Sequence, residues 1–313
     1  MRRYLGIALL LIMIIVTAGC GSKENAANVK KNKDVLTIKT TLYPLEYFTK
    51  RIAGDYANVS SIIPAGSSAH TYEPTTREMV DMAEADAFIY NGAGLESYAE
   101  SISNAIKPEG VTILEASQGV KLLKGSEENH QDAEEDHHHG DANPHVWLDP
   151  NRAIKMADNI KNMLVELNPD AKEEFNHNYS VLRQQLLDLD KDFQQLENQP
   201  KNEIIVSHAA YDYWEQEYGI HQISVSGLSP TNEPSQKEVE AIVEKAKQDD
   251  LRYVLFEQNV TPKVSKVVKD EIGAKSLRLH NLSVLTEENI QNHEDYFTLM
   301  EHNIDVLKQA LAE

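Results

Sequence analysis

The sequence predicts an α/β protein of two lobes, each a mostly parallel sheet flanked by helices, joined by one long spanning helix. Three observations carry this expectation. Between residues 35 and 115 short β-branched runs alternate with amphipathic stretches, the same alternation resumes after Pro200, and between the two lies the longest periodic apolar stripe in the chain. Strands alternating with helices argue for a parallel sheet covered on both faces, whose ligands sit beyond the carboxyl ends of the strands, where the loops gather.

The first lobe is expected over 35–150. Residues 35–41 read as a strand, 43–53 as a helix ended by Gly54, and 59–63 as a strand stopped by Pro64 and Gly66. A helix over 75–85, a strand at 87–90, a helix over 95–106 and a strand at 111–114 complete it. Asp149-Pro150 then supplies an N-cap and a proline at the first helical position, opening a helix to about residue 167, and Asn168-Pro169 repeats the signal. From there Phe175, Tyr179, Leu182, Leu186, Leu189, Phe193 and Leu196 recur at alternating spacings of four and three, which is one continuous helix face. A helix over 170–198 would be about 43 Å long at ~1.5 Å per residue, enough to run the height of two lobes. A coiled-coil dimer is the competing reading of so long a stripe. This helical linker, 151–199, leads to a second lobe over 200–313. Its strands are expected at 203–207, 222–225, 253–256 and 277–279, and its helices at 211–218, 235–247 and 262–272, with a last one carrying Tyr296, Leu299, Met300, Ile304, Leu307 and Leu311.

The chain has 313 residues, 41% apolar and 26% charged, the make-up of a globular protein large enough for two domains. The formal charge of -20 excludes nucleic acid or an anionic membrane surface as the main partner and suits a cationic ligand. Arg2 and Arg3, an apolar run over 5–16 and small residues up to Cys20 read as a signal peptide at 1–19, too short in its apolar part to span a membrane. Thr17-Ala18-Gly19-Cys20 resembles a bacterial lipobox, with Thr17 where Leu is usual, so Cys20 is the expected site of lipid attachment. Residues 20–34 lack an apolar period and read as a tether that holds the folded part close to the membrane. Cys20 is the only cysteine, so stability rests on packing and not on an intramolecular disulfide.

Histidines supply the candidate chemistry. Within a loop at 125–142, His130, His137, His138 and His139 lie among seven carboxylates, the composition of a metal-collecting segment. Directly after it, Asn143-Pro144-His145-Val146-Trp147-Leu148-Asp149-Pro150 places an isolated histidine where the chain turns apolar and enters a packed region. His70 falls in the turn-rich stretch 64–74 after a first-lobe strand, and His208 follows a second-lobe strand directly. Three imidazoles on cleft-facing loops can converge on one ion, and imidazole nitrogen is a good donor for Zn(II). A fourth donor is wanted from the second lobe, for which Glu287 is the candidate and Glu288 its rival. His177, His221, His280, His293 and His302 read as structural or solvated.

Five motifs add a resemblance. Pro-x-Gly-x-x-x-His-x-Tyr-Glu-Pro at 64–74, Asn-Gly-x-Gly-Leu-Glu at 91–96, Asn-Pro-His-x-Trp-Leu-Asp-Pro at 143–150, Ser-His-x-x-Tyr-x-Tyr at 207–213 and Glu-Pro-Ser at 233–235 resemble the ZnuA/AdcA-like zinc-binding lipoproteins of metal ABC importers. The likeness runs from about residue 35 to the C-terminus. It implies a rigid two-lobed fold, one buried metal site in the cleft, and capture of Zn(II) for delivery to a membrane ABC permease and its ATPase. It also implies a lipid-anchored protein on the extracellular face of the bacterial cytoplasmic membrane. His70, His145 and His208 stand at the family's ligand positions, while the fourth position varies. His208 stands where manganese-type relatives usually carry a carboxylate, and three imidazoles with one carboxylate favour zinc over manganese.

A manganese-type protein of the same family is the nearest alternative, ahead of a metal-stabilised surface adhesin. A zinc hydrolase would keep three ligands and a general base beside bound water. No His-Glu-x-x-His, Gly-x-Ser-x-Gly or phosphate loop occurs, so no enzymatic activity is expected. A monomer is expected. Because imidazoles bind metal only when neutral, affinity should fall as pH drops through ~6.5.

Overall fold

The structure is a computed structural model and describes residues 35–124, 142–258 and 262–312. The expected signal peptide, Cys20, the tether and the tract histidines His130, His137, His138 and His139 lie outside the described residues. Residues 35–313 form one compact unit.

The unit contains two four-stranded sheets, parallel throughout and wound alike. In the first, β1 (Leu36–Thr40), β2 (Ala57–Ser61), β3 (Ala87–Tyr90) and β4 (Thr112–Glu115) lie in the order β2-β1-β3-β4. In the second, β5 (Glu203–His208), β6 (His221–Ser226), β7 (Tyr253–Glu257) and β8 (Lys275–Leu279) lie in the order β6-β5-β7-β8. In each the chain steps to one side of its first strand and then crosses to the other, so the strand order reverses between β1 and β3 and between β5 and β7. Open parallel sheets bind ligands beyond the carboxyl ends of the strands at such a reversal. In the second sheet the residues at those ends are His208 and Glu257.

The helices start where local chemistry satisfies their first amides. In the first lobe these are α1 (Tyr43–Ala53), α2 (Thr76–Ala83) and α3 (Ala99–Ile106); α4 (Pro150–Leu167) and α5 (Lys172–Gln194) follow. The second lobe carries α6 (Asp212–Tyr218), α7 (Gln236–Gln248), α8 (Lys263–Ile272), α9 (Glu287–Gln291) and α10 (Tyr296–Leu311). Capping boxes Thr75/Glu78 and Ser235/Glu238 open α2 and α7. The Asp149 carboxylate accepts from Asn151 N and Arg152 N at 2.7 and 3.2 Å, with Pro150 at the first helical position of α4.

The long stripe is realised in α5, continued by 3-10 turns at Pro169–Ala171 and Gln195–Asn198. Of its seven residues six are buried and Tyr179 is half-buried. They pack against α4, against α1 of the first lobe and against α10 of the second, so the stripe is core within one chain and not a coiled-coil seam. One apolar cluster runs from Leu36 through Trp147, Phe175 and Phe193 to Trp214, Tyr296 and Leu311, and so passes through both lobes. A smaller cluster, including Ile205, Val254, Phe256 and Val268, lies beneath α7 and α8.

One local feature departs from the sequence reading and one lies where it assigned no element. The helix expected over 95–106 begins only at Ala99. The stretch before it holds Gly92, Ala93 and Gly94 at φ of 82°, 53° and 80°, and the buried Glu96 carboxylate accepts from Thr41 Oγ1, Asn91 N and Gly92 N at 2.6, 2.8 and 3.1 Å. The glycine at 92 is favoured by its left-handed φ, and a Cβ there would lie 2.2 Å from Glu115 Oε1, so the Glu115 side chain would have to move to admit one. Second, the segment after β8 forms the short helix α9, opened by a Thr286/Asn289 capping box.

Candidate metal centre

His208 is the last residue of β5 and pairs with Ser226 of β6, so sheet hydrogen bonding sets its direction. Its Nδ1 lies against Glu257 Oε1, at the end of the neighbouring strand β7. Glu257 is held in turn by Ser207 Oγ at 3.2 Å and Asn281 Nδ2 at 2.6 Å.

His145 stands between Pro144 and a 3-10 turn, Val146–Leu148. Its backbone N–H and its ring Nδ1 both meet Asn143 Oδ1, at 3.0 and 2.8 Å. Asn143 Nδ2 donates to Ala209 O at 3.1 Å and to Asp212 Oδ2 at 2.7 Å, which settles which end of the amide is oxygen. The turn is fastened to the second lobe by Trp147 Nε1 donating to Asn281 O at 2.7 Å, Tyr296 Oη donating to Trp147 O at 2.6 Å, and Trp214 Nε1 donating to Leu148 O at 2.8 Å. From the first lobe, Asn91 Nδ2 donates to Pro144 O at 2.9 Å.

Just before this segment the chain is pinned again. Asn143 N donates to Leu123 O at 2.8 Å, Tyr213 Oη donates to Asn143 O at 2.6 Å, and Lys124 and Ala142 form an antiparallel bridge.

His70 comes from the loop after β2, where Gly66 N donates to Leu285 O of the other lobe at 2.8 Å.

The three rings meet through their Nε2 atoms. His145 Nε2 is 3.1 Å from His70 Nε2 and 3.2 Å from His208 Nε2, and one nitrogen of each ring lies within 4.8 Å of the others. His145 and His208 are buried, and His70 is half-buried. Asn143 and Glu257 each require a proton on the Nδ1 they face, so in the neutral rings both facing Nε2 atoms carry lone pairs. Two lone pairs this close repel unless a proton or a cation lies between them. Burial, with His208 and His70 beside it, holds His145 well below the ordinary histidine range. Burial and the neighbouring His208 likewise bring His70 down to about 4. The spacing suits a metal, since bonds of ~2.0–2.1 Å in tetrahedral arrangement put nitrogens about 3.3 Å apart.

Glu287 and Glu288 are not brought to this cluster. Both lie exposed in the first turn of α9, where the Thr286/Asn289 box folds the segment into a helix. The acid that the second lobe brings close is Glu257, behind His208. Burial works to raise its carboxyl, but His208 beside it outweighs this and holds it below the usual carboxylate range. Sequence reasoning missed Glu257, although it directly follows a strand expected at 253–256 and ends the observed β7.

The remaining histidines take structural or surface places. His280 is buried, with Nδ1 accepting from Leu282 N and Nε2 donating to Asn289 Oδ1, both at 3.0 Å. His221 pairs with Glu215 at 2.9 Å on the surface, and His177, His293 and His302 are exposed.

Residues 38–310 match the family described as ZnuA, the zinc-uptake complex component A, periplasmic. The chain belongs to the ZnuA family. It is 37% identical over 288 residues to the zinc-binding lipoprotein AdcA of Streptococcus pneumoniae, covering 91% of this chain and 57% of AdcA. The chain therefore spans little more than half the length of that relative. With the high-affinity zinc uptake system protein ZnuA of Bacillus subtilis it shares 32% identity over 313 residues, 99% of this chain and 98% of that one. Among solved structures it resembles the Zn(II)-bound ZnuA-like domain of Streptococcus pneumoniae AdcA, with a TM-score of 0.76, 33% identity, and coverage of 89% of this chain and 100% of that one. In this ZnuA-family chain two of the sequence motifs have physical roles: Asn91 to Glu96 builds the turn whose Asn91 holds Pro144, and Asn143 orients His145.

Proposed function

We propose that this chain captures Zn(II) from outside the cell at His70, His145 and His208 and delivers it to an ABC permease and its ATPase for import. The observation that carries the reading is the convergence of three imidazole nitrogens, with His145 Nε2 3.1 Å from His70 Nε2 and 3.2 Å from His208 Nε2. Relatives named for zinc binding and zinc uptake support the choice of ion, as does an all-imidazole set of donors, which suits zinc better than manganese. With Glu287 and Glu288 exposed, we assign the fourth position to water or another small donor. Binding, not catalysis, is the role. The protein works as a monomer, anchored through lipid on Cys20, with lobes at 35–150 and 200–313 joined by 151–199. The tract at 127–141 raises the local ion concentration.

The test is calorimetric titration of metal-free protein, residues 21–313, with zinc and with manganese, beside a variant lacking 127–141. One tight zinc site that survives the deletion, with manganese much weaker, is expected. Tight manganese binding, or loss of all tight binding with the tract, would overturn the assignment of metal or site.

A further inference from the structure

The support behind His208 differs in charge from the support behind His145. His145 leans on a neutral amide, Asn143, whereas His208 leans on the Glu257 carboxylate, which is 5% exposed. The surroundings of Glu257 call for an anion. Ser207 Oγ and Asn281 Nδ2 both point hydrogens at it, and Asn281 is not free to turn over, because its Oδ1 accepts from Ser283 N and Ser283 Oγ at 3.0 and 2.9 Å. An amide in place of Glu257 would set an N–H against one of these donors. Buried charge persists where it is paired, and a cation held in front of the His208 ring would add a counter-charge to the hydrogen bonds that Glu257 already receives.

We propose that Glu257 is a positioning and specificity-determining residue: acting through His208, it keeps Nε2 as the donor and places a negative charge that favours a doubly charged ion over a singly charged one. This deepens the zinc-capture reading and rests on it. Coulomb attraction scales with the product of the charges, so removing the anion costs a dication about twice the free energy it costs a monocation at the same place.

The test is to measure Zn(II) and, anaerobically, Cu(I) affinities of wild type and Glu257→Gln by competition with chromogenic chelators. Zinc affinity is expected to fall about 10- to 100-fold, the usual effect of losing such an outer partner. Copper(I) should fall by about the square root of that factor, narrowing the preference for zinc about 3- to 10-fold. Unchanged zinc affinity, or equal losses for the two ions, would overturn the proposal, since a purely structural role lowers both together. If Glu257→Gln does not fold, Ser207→Ala removes one donor to the same carboxylate and should weaken zinc about 2- to 10-fold. No change there would equally overturn it. The zinc-capture reading fails by a different result, namely wild-type protein without a tight zinc site, or tight zinc that survives His70→Ala and His145→Ala.

Discussion

What a histidine can do here depends on what its second nitrogen meets. In His280 both nitrogens are satisfied by the fold, and the ring is a packing residue. In His145 and His208 the fold satisfies Nδ1 and leaves Nε2 facing another imidazole, which is a donor without a hydrogen-bond donor of its own. His208→Ala should therefore weaken zinc by at least about 100-fold, whereas His138→Ala in the tract should leave the tight site nearly unchanged. Equal losses in the two titrations would remove the distinction. Asn143→Ala, which touches no ion, should cost about 10- to 100-fold by freeing the His145 ring. The pH dependence also changes from the expectation drawn from free imidazole. With His70 brought down to about 4 by burial and by His208, and His145 held well below the ordinary histidine range, protons on these two rings compete only weakly above pH 5. Zinc affinity in buffered chelator competition should accordingly lose less as pH drops through 6.5 than three free imidazoles would, with the His70 and His145 contributions falling away only below about pH 5. The three histidines were legible because each follows a strand or enters an apolar stretch. Glu257 and Asn143 were not assigned roles because their work depends on adjacency across strands and across lobes, which a linear pattern does not display.

At the scale of elements, periodicity and end signals did most of the prediction. The 43–53 helix, the 87–90 strand and the 150–167 helix are realised with the expected limits. The misjudged stretch, 95–98, and the stretch left unassigned, 286–291, are both fixed by side chains bonding to nearby backbone, Glu96 in one case and Thr286 with Asn289 in the other. Apolar periodicity carries no trace of such bonds. The stripe on α5 carries a stability prediction. Leu186 is fully buried in the core that runs through both lobes, so Leu186→Ala should cost about 2–5 kcal/mol in urea unfolding. A loss below ~1 kcal/mol would mean that the stripe packs loosely.

For the molecule as a whole, ion binding and folding are linked. The metal-free protein holds buried neutral histidines, and burial brings His280 as well as His70 to about 4. The unfolded chain, titrating near 6.5, takes up protons that the fold refuses, so stability is full above pH 6.5 and declines as pH falls towards 4. Each such histidine should contribute about 1.4 kcal/mol per pH unit within that window, visible as falling urea midpoints between pH 7 and pH 4. Zinc opposes the decline. At a free concentration a hundred times its Kd it should add about 2.7 kcal/mol, raising the melting temperature by several degrees, and a chelator should reverse the gain.

The unequal tethering of the three rings also shapes exchange. His145 is bolted through Asn143, Trp147 and Leu148 to the second lobe, and His208 is part of that lobe's sheet, whereas among the described residues His70 has a hydrogen-bond contact through Nε2 alone and keeps some exposure. On the proposed ligand set, an ion that leaves is expected to part first from His70, the least anchored ring. The residence time of the ion should then follow the rotation of that one side chain, while the other two rings hold the half-built pocket ready for the next arrival.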